Sequence, residues 1–373
     1  MKVVVAMDSF KGSLTSLEAG NSVKEGILEV FPHANICVLP LADGGEGTLD
    51  AVMWLKKGKK QKIQVKDALL RTISTEYGIL NSNTALIEIA KVVGLPMLKQ
   101  EEKNPLVTST YGIGEMIVAA MNDGGKHFYI ALGGSSTNDG GFGMLRALGY
   151  RFLNPNHQEI TTLESLLELA SIDEKNVNSH LLECDFVLLS DVKNPLLGEN
   201  GCSYVFGAQK GATKAQQAHL DAILTKFSLI VSQQYQGDFH LLEGAGAAGG
   251  LGFAFLAFLK AQCISGSGWL LKEMRLEEEI QDADYVITGE GKIDQQTLMG
   301  KGPNAVASLA KKYHKTVFGF GGSIEESLFH QASNFDGLYA IIDHPFTLND
   351  LKKDVAKSNI KRTVKKVFQK ILK

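Results

Sequence analysis

Apolar runs, glycine-containing polar loops and segments with helical spacing follow one another along most of the chain. The first run, "KVVVAM", leads into "DSFKGS" and then into a predicted helix, at whose start Thr15 and Glu18 have the spacing of a capping box. The run "ICVLPLA" likewise precedes the loop "DGGEG" and the helical segment "TLDAVMWLKK". Near-continuous apolar strands that alternate with helices predict a parallel sheet covered on both faces. The predicted fold class is therefore α/β.

The alternation recurs at "YIALGGSSTNDGG", "FVLLSDVKNP", "DYVITGEGKIDQQT" and "TVFGFGG", but it breaks between residues 62 and 90. There the pattern indicates consecutive strands, with "LNSNT" as the reversal, so antiparallel pairing is expected. The 373 residues exceed the roughly 250 to 300 at which one hydrophobic core stops growing. We predict two domains, a discontinuous α/β domain of residues 1–62 plus 281–373 and an inserted mixed α/β domain of residues 63–280.

The overall charge excludes several classes of partner. The chain has 38 basic and 41 acidic residues and a net charge of −3, so no nucleic acid or membrane partner is expected. The carboxy-terminal "KKDVAKSNIKRTVKKVFQKILK" predicts a basic amphipathic helix with a solvated face. Four scattered cysteines without a C-x-x-C pair favour reduced thiols. The short apolar stretch at the amino terminus is unlike a secretion signal, and we expect a cytoplasmic protein.

Polar side chains gather in the loops that follow the predicted strands. In an open parallel sheet, ligands bind beyond the carboxyl ends of the strands. Acidic groups with one lysine per cluster suit a metal-bound polyphosphate and a small polar substrate, because magnesium takes one or two carboxylates plus phosphate oxygens. The loop residues are Asp8, Ser9, Lys11 and Ser13, then Asp43, Glu46 and Thr48, then Asp191 and Asn194, and finally Glu290, Lys292 and Asp294.

The loop "GGSSTNDGG" between a predicted strand and helix has two interpretations. Its glycines allow backbone amides to converge on an anion at the start of the helix, with serine and threonine hydroxyls as further donors. The alternative is a tight packing turn. An aspartate in a phosphate cradle needs a metal or a hydroxyl to hold, so Asp139 shifts the balance slightly towards a nucleotide–magnesium site.

A second glycine cluster, "GAGAAGG" at residues 244–250, formally matches the dinucleotide-binding pattern G-x-G-x-x-G. The acidic residue expected about 20 positions later at the end of a second strand is missing, so this function is disfavoured. A second phosphate-contacting helix start and close helix packing both remain open. No P-loop motif and no G-x-S-x-G elbow occur in the sequence.

Asp191 in "SDVKNP" has three possible roles. It could accept a proton from an attacking hydroxyl, bind magnesium, or form a turn before Asn194 and Pro195. Asp8 ends the first strand, but the second aspartate of an aspartyl-nucleophile phosphatase is replaced by Phe10.

Taken in order, eight segments resemble the bacterial type I glycerate kinase family. The resemblance covers about residues 3–325 and departs little from the family pattern, with Ala208 in place of an expected proline and a less typical "FGFGGS" at 318–323. The segments are "MDSFKGSLTSLEA", "PLADGGEGTLDA", "ALIEIAKVVGL", "TSTYGIGEMI", "LGGSSTNDGGFGMLRALG", "SDVKNPLLGENGCSYVFGAQKGA", "GAGAAGGLGFAFLAFL" and "DYVITGEGKIDQQTLMGKGP".

The resemblance implies ATP- and Mg²⁺-dependent transfer of the γ-phosphoryl group to D-glycerate, giving ADP and phosphoglycerate, with 2-phosphoglycerate favoured over 3-phosphoglycerate. It also implies a flavodoxin-like domain built from both chain ends and an inserted domain with a restriction-endonuclease-like core. A kinase of another small hydroxy acid and a non-catalytic two-lobed anion-binding protein are the alternatives. Either a monomer or a homodimer is compatible with the sequence.

On this basis the loops are assigned roles. Lys11, Asp8 and Asp191 are the candidate catalytic residues, with Asp191 preferred as base or magnesium ligand and Glu290 and Asp294 as its rivals. Glycerate is expected at Ser9, Ser13, Asp43, Glu46 and Asn194, and at Lys11 in the "DSFKGS" loop. Asp43 and Glu46 could also contact the metal. Nucleotide phosphates are expected at Gly133, Gly134, Ser135, Ser136, Thr137, Asn138, Gly246 and Gly249, and the metal at Asp139, Glu290 and Asp294.

Overall fold

The computed structural model describes residues 1–42, 44–298, 302–329 and 334–372. Within these residues the strands are β1 (Lys2–Met7), β2 (Asn35–Pro40), β3 (Lys59–Lys66), β4 (Thr72–Asn81), β5 (Thr84–Glu88), β6 (His127–Ala131), β7 (Arg151–Leu153), β8 (Ser171–Asp173), β9 (Asp185–Leu189), β10 (Gln262–Ile264), β11 (Tyr285–Ile293), β12 (Thr316–Ile324) and β13 (Gly337–Ala340). The α-helices are α1 (Ser16–Leu28), α2 (Thr48–Lys56), α3 (Ala90–Val93), α4 (Tyr111–Asn122), α5 (Phe142–Ala147), α6 (Cys202–Phe206), α7 (Lys214–Tyr235), α8 (Ala247–Phe258), α9 (Gly266–Glu273), α10 (Leu276–Gln281), α11 (Gln295–Leu298), α12 (Gly302–Lys312) and α13 (Lys353–Ile371).

The chain divides into two compact units. Unit 1 comprises Met1–Asp43 and Ser267–Lys373, and unit 2 comprises Gly44–Gly266. Unit 1 is thus built from both chain ends, but the boundaries lie nearer the amino terminus than the 62/63 and 280/281 predicted from the sequence. The reason for the first difference is that α2 packs on β4 and β5 and so belongs to the inserted unit.

Unit 1 contains a five-stranded parallel sheet in the order β13-β12-β11-β1-β2 among the described residues. Numbered within the unit, this is the 2-1-3-4-5 order of flavodoxin-like doubly wound folds. The order in which strands are added changes direction at β1, which pairs with β2 on one side and with β11 on the other. The predicted parallel α/β sheet is confirmed, and its switch point lies between β1 and β11.

Helices cover both faces of this sheet. Val3, Val5 and Met7 point to the face where α1 and α13 pack on each other and on the strands. Val4 and Val286 point to the other face and are equally buried, and α12 contacts β11 and β12 there. Burial on both faces explains why the strands read as continuous apolar runs.

The predicted carboxy-terminal helix is α13. Its apolar side, with Ile360, Val364 and Phe368, enters the core of unit 1. Two of its lysines form ion pairs with Glu29 at the end of α1, Lys361 and Lys365 each at 2.8 Å. The basic side is therefore solvated, as predicted, and partly neutralised by Glu29.

Unit 2 contains a mixed six-stranded sheet in the order β10-β9-β6-β5-β4-β3 among the described residues. The β3–β4 and β4–β5 pairs are antiparallel, with the reversal between Asn81 and Thr84, whereas β5, β6, β9 and β10 are parallel. The antiparallel segment predicted between residues 62 and 90 is confirmed. The likeness to restriction endonucleases stays a prediction.

Two further features of the described structure concern its cysteines and its apolar helices. Cys37, Cys184, Cys202 and Cys263 are all unpaired thiols. Across the described ranges, no helix combines the length and the apolar character that a membrane span requires.

Candidate functional site

Unit 1 has a cavity of about 620 Å³ at the carboxyl ends of β1, β11 and β12. Because β1 and β11 are neighbours in the sheet, the loops that follow them meet at the switch point, where doubly wound folds bind ligands. Seven of the loop residues selected from the sequence line this cavity together: Asp8, Ser9, Lys11, Ser13, Glu290, Lys292 and Asp294.

The "DSFKGS" loop is a tight reversal anchored by two apolar side chains. Phe10 and Leu14 are buried and exchange backbone hydrogen bonds of 2.9 and 3.0 Å. Gly12 lies between them at a φ of 74°, a left-handed conformation that glycine adopts without strain. The anchors leave Lys11 exposed and hold it with Ser13 at the cavity wall.

The Ser13 hydroxyl has no hydrogen-bond partner in the described part of the chain. Its Oγ is buried. A buried hydroxyl without a partner destabilises a fold by a few kcal/mol at most, and ligands commonly satisfy such groups. The position in the cavity wall makes this Oγ suited to bind a polar substrate.

The acidic side of the cavity is organised by Thr297. Its Oγ1 donates to Glu290 Oε1 at 2.7 Å and accepts from the backbone N–H of Asp294 at 3.1 Å. Lys292 Nζ lies 3.3 Å from Asp294 Oδ2. Thr297 therefore orients the Glu290 carboxylate and the start of the Asp294 loop relative to each other.

These carboxylates match the needs of magnesium better than those of a metal held by the protein alone. Among the described residues, no group of three or more His, Cys, Asp or Glu side chains converges as a metal site. Magnesium usually takes one or two carboxylates and keeps phosphate oxygens and water as further ligands. Glu290 and Asp294 provide such a pair of oxygen donors in one cavity.

The cavity lining also includes two ionisable residues that the sequence did not single out, His344 and Asp350. Asp350 Oδ2 accepts hydrogen bonds of 2.8 Å from the backbone N–H and from Oγ1 of Thr347, and these donors hold the pKa of its carboxyl below the usual range. His344 Nε2 lies 3.4 Å from Asp350 Oδ1. Neither has a neighbouring motif, so sequence spacing contained no signal for them.

In unit 2, the loop that follows β2 contains Glu46. Glu46 is exposed, whereas Asp43 lies outside the described residues. The amide of Gly133 donates to the carbonyl of Gly44 at 2.9 Å, and a Cβ on Gly133 would clash with Gly45 Cα. The structure thus brings the "DGGEG" and "GGSSTNDGG" loops together, and glycine at 133 is required by their close approach.

Most of the "GGSSTNDGG" loop is buried. Ser136 Oγ donates to the carbonyl of Val93 at 2.8 Å, and Asn138 Nδ2 donates to Ser203 Oγ at 2.9 Å. Gly134, in contrast, is exposed with a φ of 81°. The buried part of the loop therefore fits the interpretation as a packing turn. The accessible backbone at Gly134 fits the interpretation as an anion-binding loop.

Asp139 has a structural environment rather than that of an accessible metal ligand. Its Oδ2 accepts from the backbone N–H of Thr110 at 2.8 Å, from Thr110 Oγ1 at 2.9 Å and from the Gly143 amide at 3.1 Å, and Oδ1 accepts from the Gly141 amide at 3.1 Å. Burial raises the pKa of this carboxyl, and these donors oppose the rise. Four protein donors on a buried carboxylate tie the loop to α4 and α5, so the geometry does not support the metal role predicted for Asp139.

Lys210 lies buried beneath the same loop and was missed in the sequence. Its Nζ donates to the carbonyl of Thr137 at 2.7 Å and to Ser135 Oγ at 3.2 Å. Burial lowers the pKa of Lys210 to about 8, although Cys202 and Asp139 act in the opposite direction. Its only sequence signal was a lone charge among small residues in "GAQKGA".

The "GAGAAGG" loop packs directly on "GGSSTNDGG". Gly249, at a φ of 67°, accepts a hydrogen bond of 3.0 Å from the Gly140 amide, and a Cβ on Gly249 would clash with the Thr137 carbonyl. The Gly246 amide donates to the carbonyl of Asn194 at 2.9 Å. Close packing of the two glycine loops is the role that these contacts favour.

Asp191 is exposed just beyond the carboxyl end of β9. Ser265 Oγ donates to its Oδ1 at 2.6 Å. The side chain of its neighbour Asn194 bonds instead to the carbonyl of Asn200 at 2.8 Å. Asp191 is thus an oriented, accessible carboxylate, whereas the Asn194 amide supports its own loop.

Comparison with known proteins extends the likeness to the whole chain. Residues 3–372 match the model of the glycerate kinase family. The chain is 39% identical over 353 residues to a glycerate kinase of Halalkalibacterium halodurans, covering 93% of this chain and 92% of that protein. It is 40% identical over 354 residues to a glycerate 2-kinase of Escherichia coli, covering 94% and 93% respectively. A crystal structure of a protein assigned as glycerate kinase 2 from Salmonella typhimurium superposes with a TM-score of 0.84 at 39% identity, covering 100% of this chain and 98% of that one.

Proposed function

The chain belongs to the glycerate kinase family, whose members are ATP-dependent kinases, and we propose that it phosphorylates the C2 hydroxyl of D-glycerate to give 2-phosphoglycerate and ADP. The observation that carries this proposal is the unit 1 cavity, in which Lys11 and Ser13 share a wall with Glu290 and Asp294. Preference for C2 is supported by the E. coli relative, a glycerate 2-kinase.

In this proposal, the "DSFKGS" loop holds glycerate. A lysine ammonium suits the substrate carboxylate, and the Ser13 hydroxyl suits one of its hydroxyl groups. Asp8 and Ser9 complete this wall, with the Asp8 carboxylate oriented by the Ser9 amide at 2.6 Å. Asp43 and Glu46, in the loop after β2, and Asn194, in the loop after β9, are proposed as further substrate contacts, and the Asn194 amide also supports its own loop.

Nucleotide phosphates are placed at the "GGSSTNDGG" loop. Exposed backbone at Gly134 supports this placement. The buried part of the loop, Ser135, Ser136, Thr137 and Asn138, holds that backbone in place. Gly246 and Gly249 act by packing against it. Phosphoryl transfer depends mainly on positioning and charge stabilisation, so a rigid loop of this kind is an appropriate scaffold.

Glu290 and Asp294 are the residues proposed to hold Mg²⁺. When bound, the ion would offset the negative charge of the nucleotide phosphates. Thr297 keeps Glu290 oriented towards this task.

Asp191 is proposed as the base that accepts the proton of the attacking hydroxyl. It is exposed and its Oδ1 is oriented by Ser265, which leaves the carboxylate in a defined direction. A general base of this kind contributes about 10²- to 10⁴-fold to the rate.

A coupled ADP-release assay with D-glycerate, L-glycerate and glycolate tests the acceptor. Phosphorus NMR of the product then distinguishes the C2 from the C3 phosphate. We expect turnover that depends on D-glycerate and Mg²⁺, with a single 2-phosphoglycerate resonance. A 3-phosphoglycerate product would overturn the regiochemistry alone, and turnover confined to another hydroxy acid would overturn the substrate.

A further inference from the structure

Glu88, the last residue of β5, caps the first turn of α2 from inside unit 2. Its side chain is almost wholly buried, with 1% exposed. Oε1 accepts from the Gly47 amide at 3.1 Å and Oε2 from the Leu49 amide at 2.8 Å. Gly47 is the N-cap residue of α2 and has no side chain to satisfy these amides. The carboxylate therefore replaces the missing cap, and its charge is favoured at the positive end of the helix.

The capped turn of α2 is continuous with the Gly44–Gly47 loop, which contains the proposed substrate contact Glu46. Glu46 lies immediately before Gly47, and at the other end of the loop the Gly44 carbonyl accepts the hydrogen bond from Gly133. The approach of Gly133 to Gly45 is so close that a Cβ would not fit. A shift at the start of α2 would consequently be transmitted to Glu46 and to the backbone at Gly133.

We propose that Glu88 is a positioning residue for phosphoryl transfer, whose ionised carboxylate fixes the Gly44–Gly47 loop and, through it, the backbone at Gly133. The inference rests on the proposed function, which assigns these two loops to the substrate and the nucleotide. Glu88 is too deeply buried to touch either molecule and acts only through the backbone that it holds.

The surroundings of Glu88 make its charge state sensitive to pH near neutrality. Burial raises the pKa of Glu88 to about 7, against the lowering effects of the Leu49 amide, Lys91 and the Gly47 amide. Protonation would weaken one of two hydrogen bonds, because the proton must sit on an oxygen that faces an amide donor.

The neighbouring charged groups belong to one network. Lys91 Nζ lies 3.5 Å from Asp50 Oδ2 and 3.4 Å from Glu76 Oε1, and Lys60 pairs with both carboxylates. Against burial, Lys60 and Lys91 hold the pKa of Asp50 below its usual value, and Lys60 does the same for Glu76. Among the described groups facing this site, Glu88 is thus the one expected to change charge near neutral pH.

The test follows the Gly47, Leu49 and Gly133 amides by ¹H–¹⁵N NMR while kcat/KM is measured from about pH 5.5 to about pH 8.5, which brackets the Glu88 transition. In the wild-type enzyme, all three amide shifts and the acid limb of kcat/KM should share one midpoint near neutrality. In Glu88→Gln the shifts should no longer titrate, the acid limb should disappear, and kcat/KM at the alkaline end should fall roughly tenfold or more.

Thermal unfolding gives an opposite signature. The folded-state pKa of Glu88 lies above its ordinary value of 4.5, so its favourable contribution is complete below pH 4.5 and is lost as the pH rises towards 7. Relative to the wild type, Glu88→Gln should therefore gain in Tm over that range while losing activity. A purely structural residue would move stability and activity in the same direction.

Glu115→Gln is the matched control, because Glu115 Oε2 accepts the Lys66 amide at 2.6 Å elsewhere in unit 2. It should keep the wild-type pH profile. Wild-type kcat/KM with an intact acid limb in Glu88→Gln would overturn the proposal, as would titration of Gly47 and Leu49 without Gly133. Glu88→Asp, expected to shift the limb and lower kcat/KM, replaces the glutamine variant if that does not fold. Failure of the proposed function is recognised separately, as a wild-type enzyme inert towards glycerate at every pH; the three amide shifts would still decide whether Glu88 couples the loops.

Discussion

The Lys210 ammonium lies 2.7 Å from the carbonyl oxygen of Thr137, in the interior of unit 2. This hydrogen bond fixes the backbone of the "GGSSTNDGG" loop from below, at the position next to the Gly249 contact. The loop proposed to hold nucleotide phosphates is therefore supported by a buried cation, whereas its backbone at Gly134 is exposed.

Lys210→Met should raise the KM for ATP about tenfold, because the Thr137 carbonyl and Ser135 hydroxyl lose their donor and the loop loosens. The KM for glycerate should change little. Steady-state kinetics with each substrate varied in turn measures the split. Lys214→Met, at an exposed lysine at the start of α7, is the control and should leave both KM values unchanged.

The same variant tests a pH dependence of stability. The folded-state pKa of Lys210, about 8, lies below its ordinary 10.5, so the wild-type free energy of unfolding should rise by about 3 kcal/mol between pH 8 and 10.5. Lys210→Met should lack this contribution. Urea unfolding of both proteins across that range measures the difference, and parallel curves would contradict the burial of a charged lysine.

Ser13→Ala should raise the KM for D-glycerate about tenfold while leaving the Tm of the ligand-free protein no lower than that of the wild type. The reason is that Ser13 Oγ makes no hydrogen bond to the described protein residues, so its removal loses a ligand contact and no folding contact. Calorimetry and glycerate titrations measure the two effects. An unchanged KM would mean that the hydroxyl does not bind the substrate.

Asp191→Asn should lower kcat by about 10²- to 10⁴-fold with little change in either KM, as expected for loss of a general base. Asp185→Asn, at the exposed start of the same strand, serves as the control and should retain kcat. If Asp191→Asn turned over at a near-normal rate, the base would have to be sought at Glu290 or Asp294.

Glu290→Gln should increase the Mg²⁺ concentration needed for half-maximal activity, by about tenfold if the carboxylate is a direct ligand. The control is Asp282→Asn, at an exposed residue before the amino end of β11, and it should leave this Mg²⁺ concentration unchanged. Activity measured against Mg²⁺ at saturating ATP and glycerate separates the two variants. An identical Mg²⁺ dependence of wild type and Glu290→Gln would remove Glu290 from the proposed metal site.

Several site residues could be predicted because the end of a buried strand is recognisable in the sequence. "KVVVAM" before Asp8 and "DYVIT" before Glu290 are apolar runs followed by polar loops, and parallel pairing of β1 with β11 brings those loops into one cavity. Glu88 and Lys210 were missed because each is a lone charged residue within apolar or small neighbours. Nothing in their spacing indicates which backbone groups they hold.

Asp139 shows the opposite case, in which the sequence suggested a role that the geometry does not support. Its residue type and its place among glycines suggested a metal ligand, but the four donors that surround it come from Thr110, Gly141 and Gly143. The Thr110 donors are 29 residues away in the chain, so local sequence had no means of revealing them.

Local sequence determined the alternation of strands and helices, the antiparallel segment before residue 90 and the family, since these depend on periodicity and motifs that neighbouring residues carry. Tertiary structure decided which carboxylates face a cavity and which satisfy buried amides. The physical reason is that the charge state and role of a group such as Glu88 depend on burial and on donors far along the chain, which only the packed fold brings within hydrogen-bonding distance.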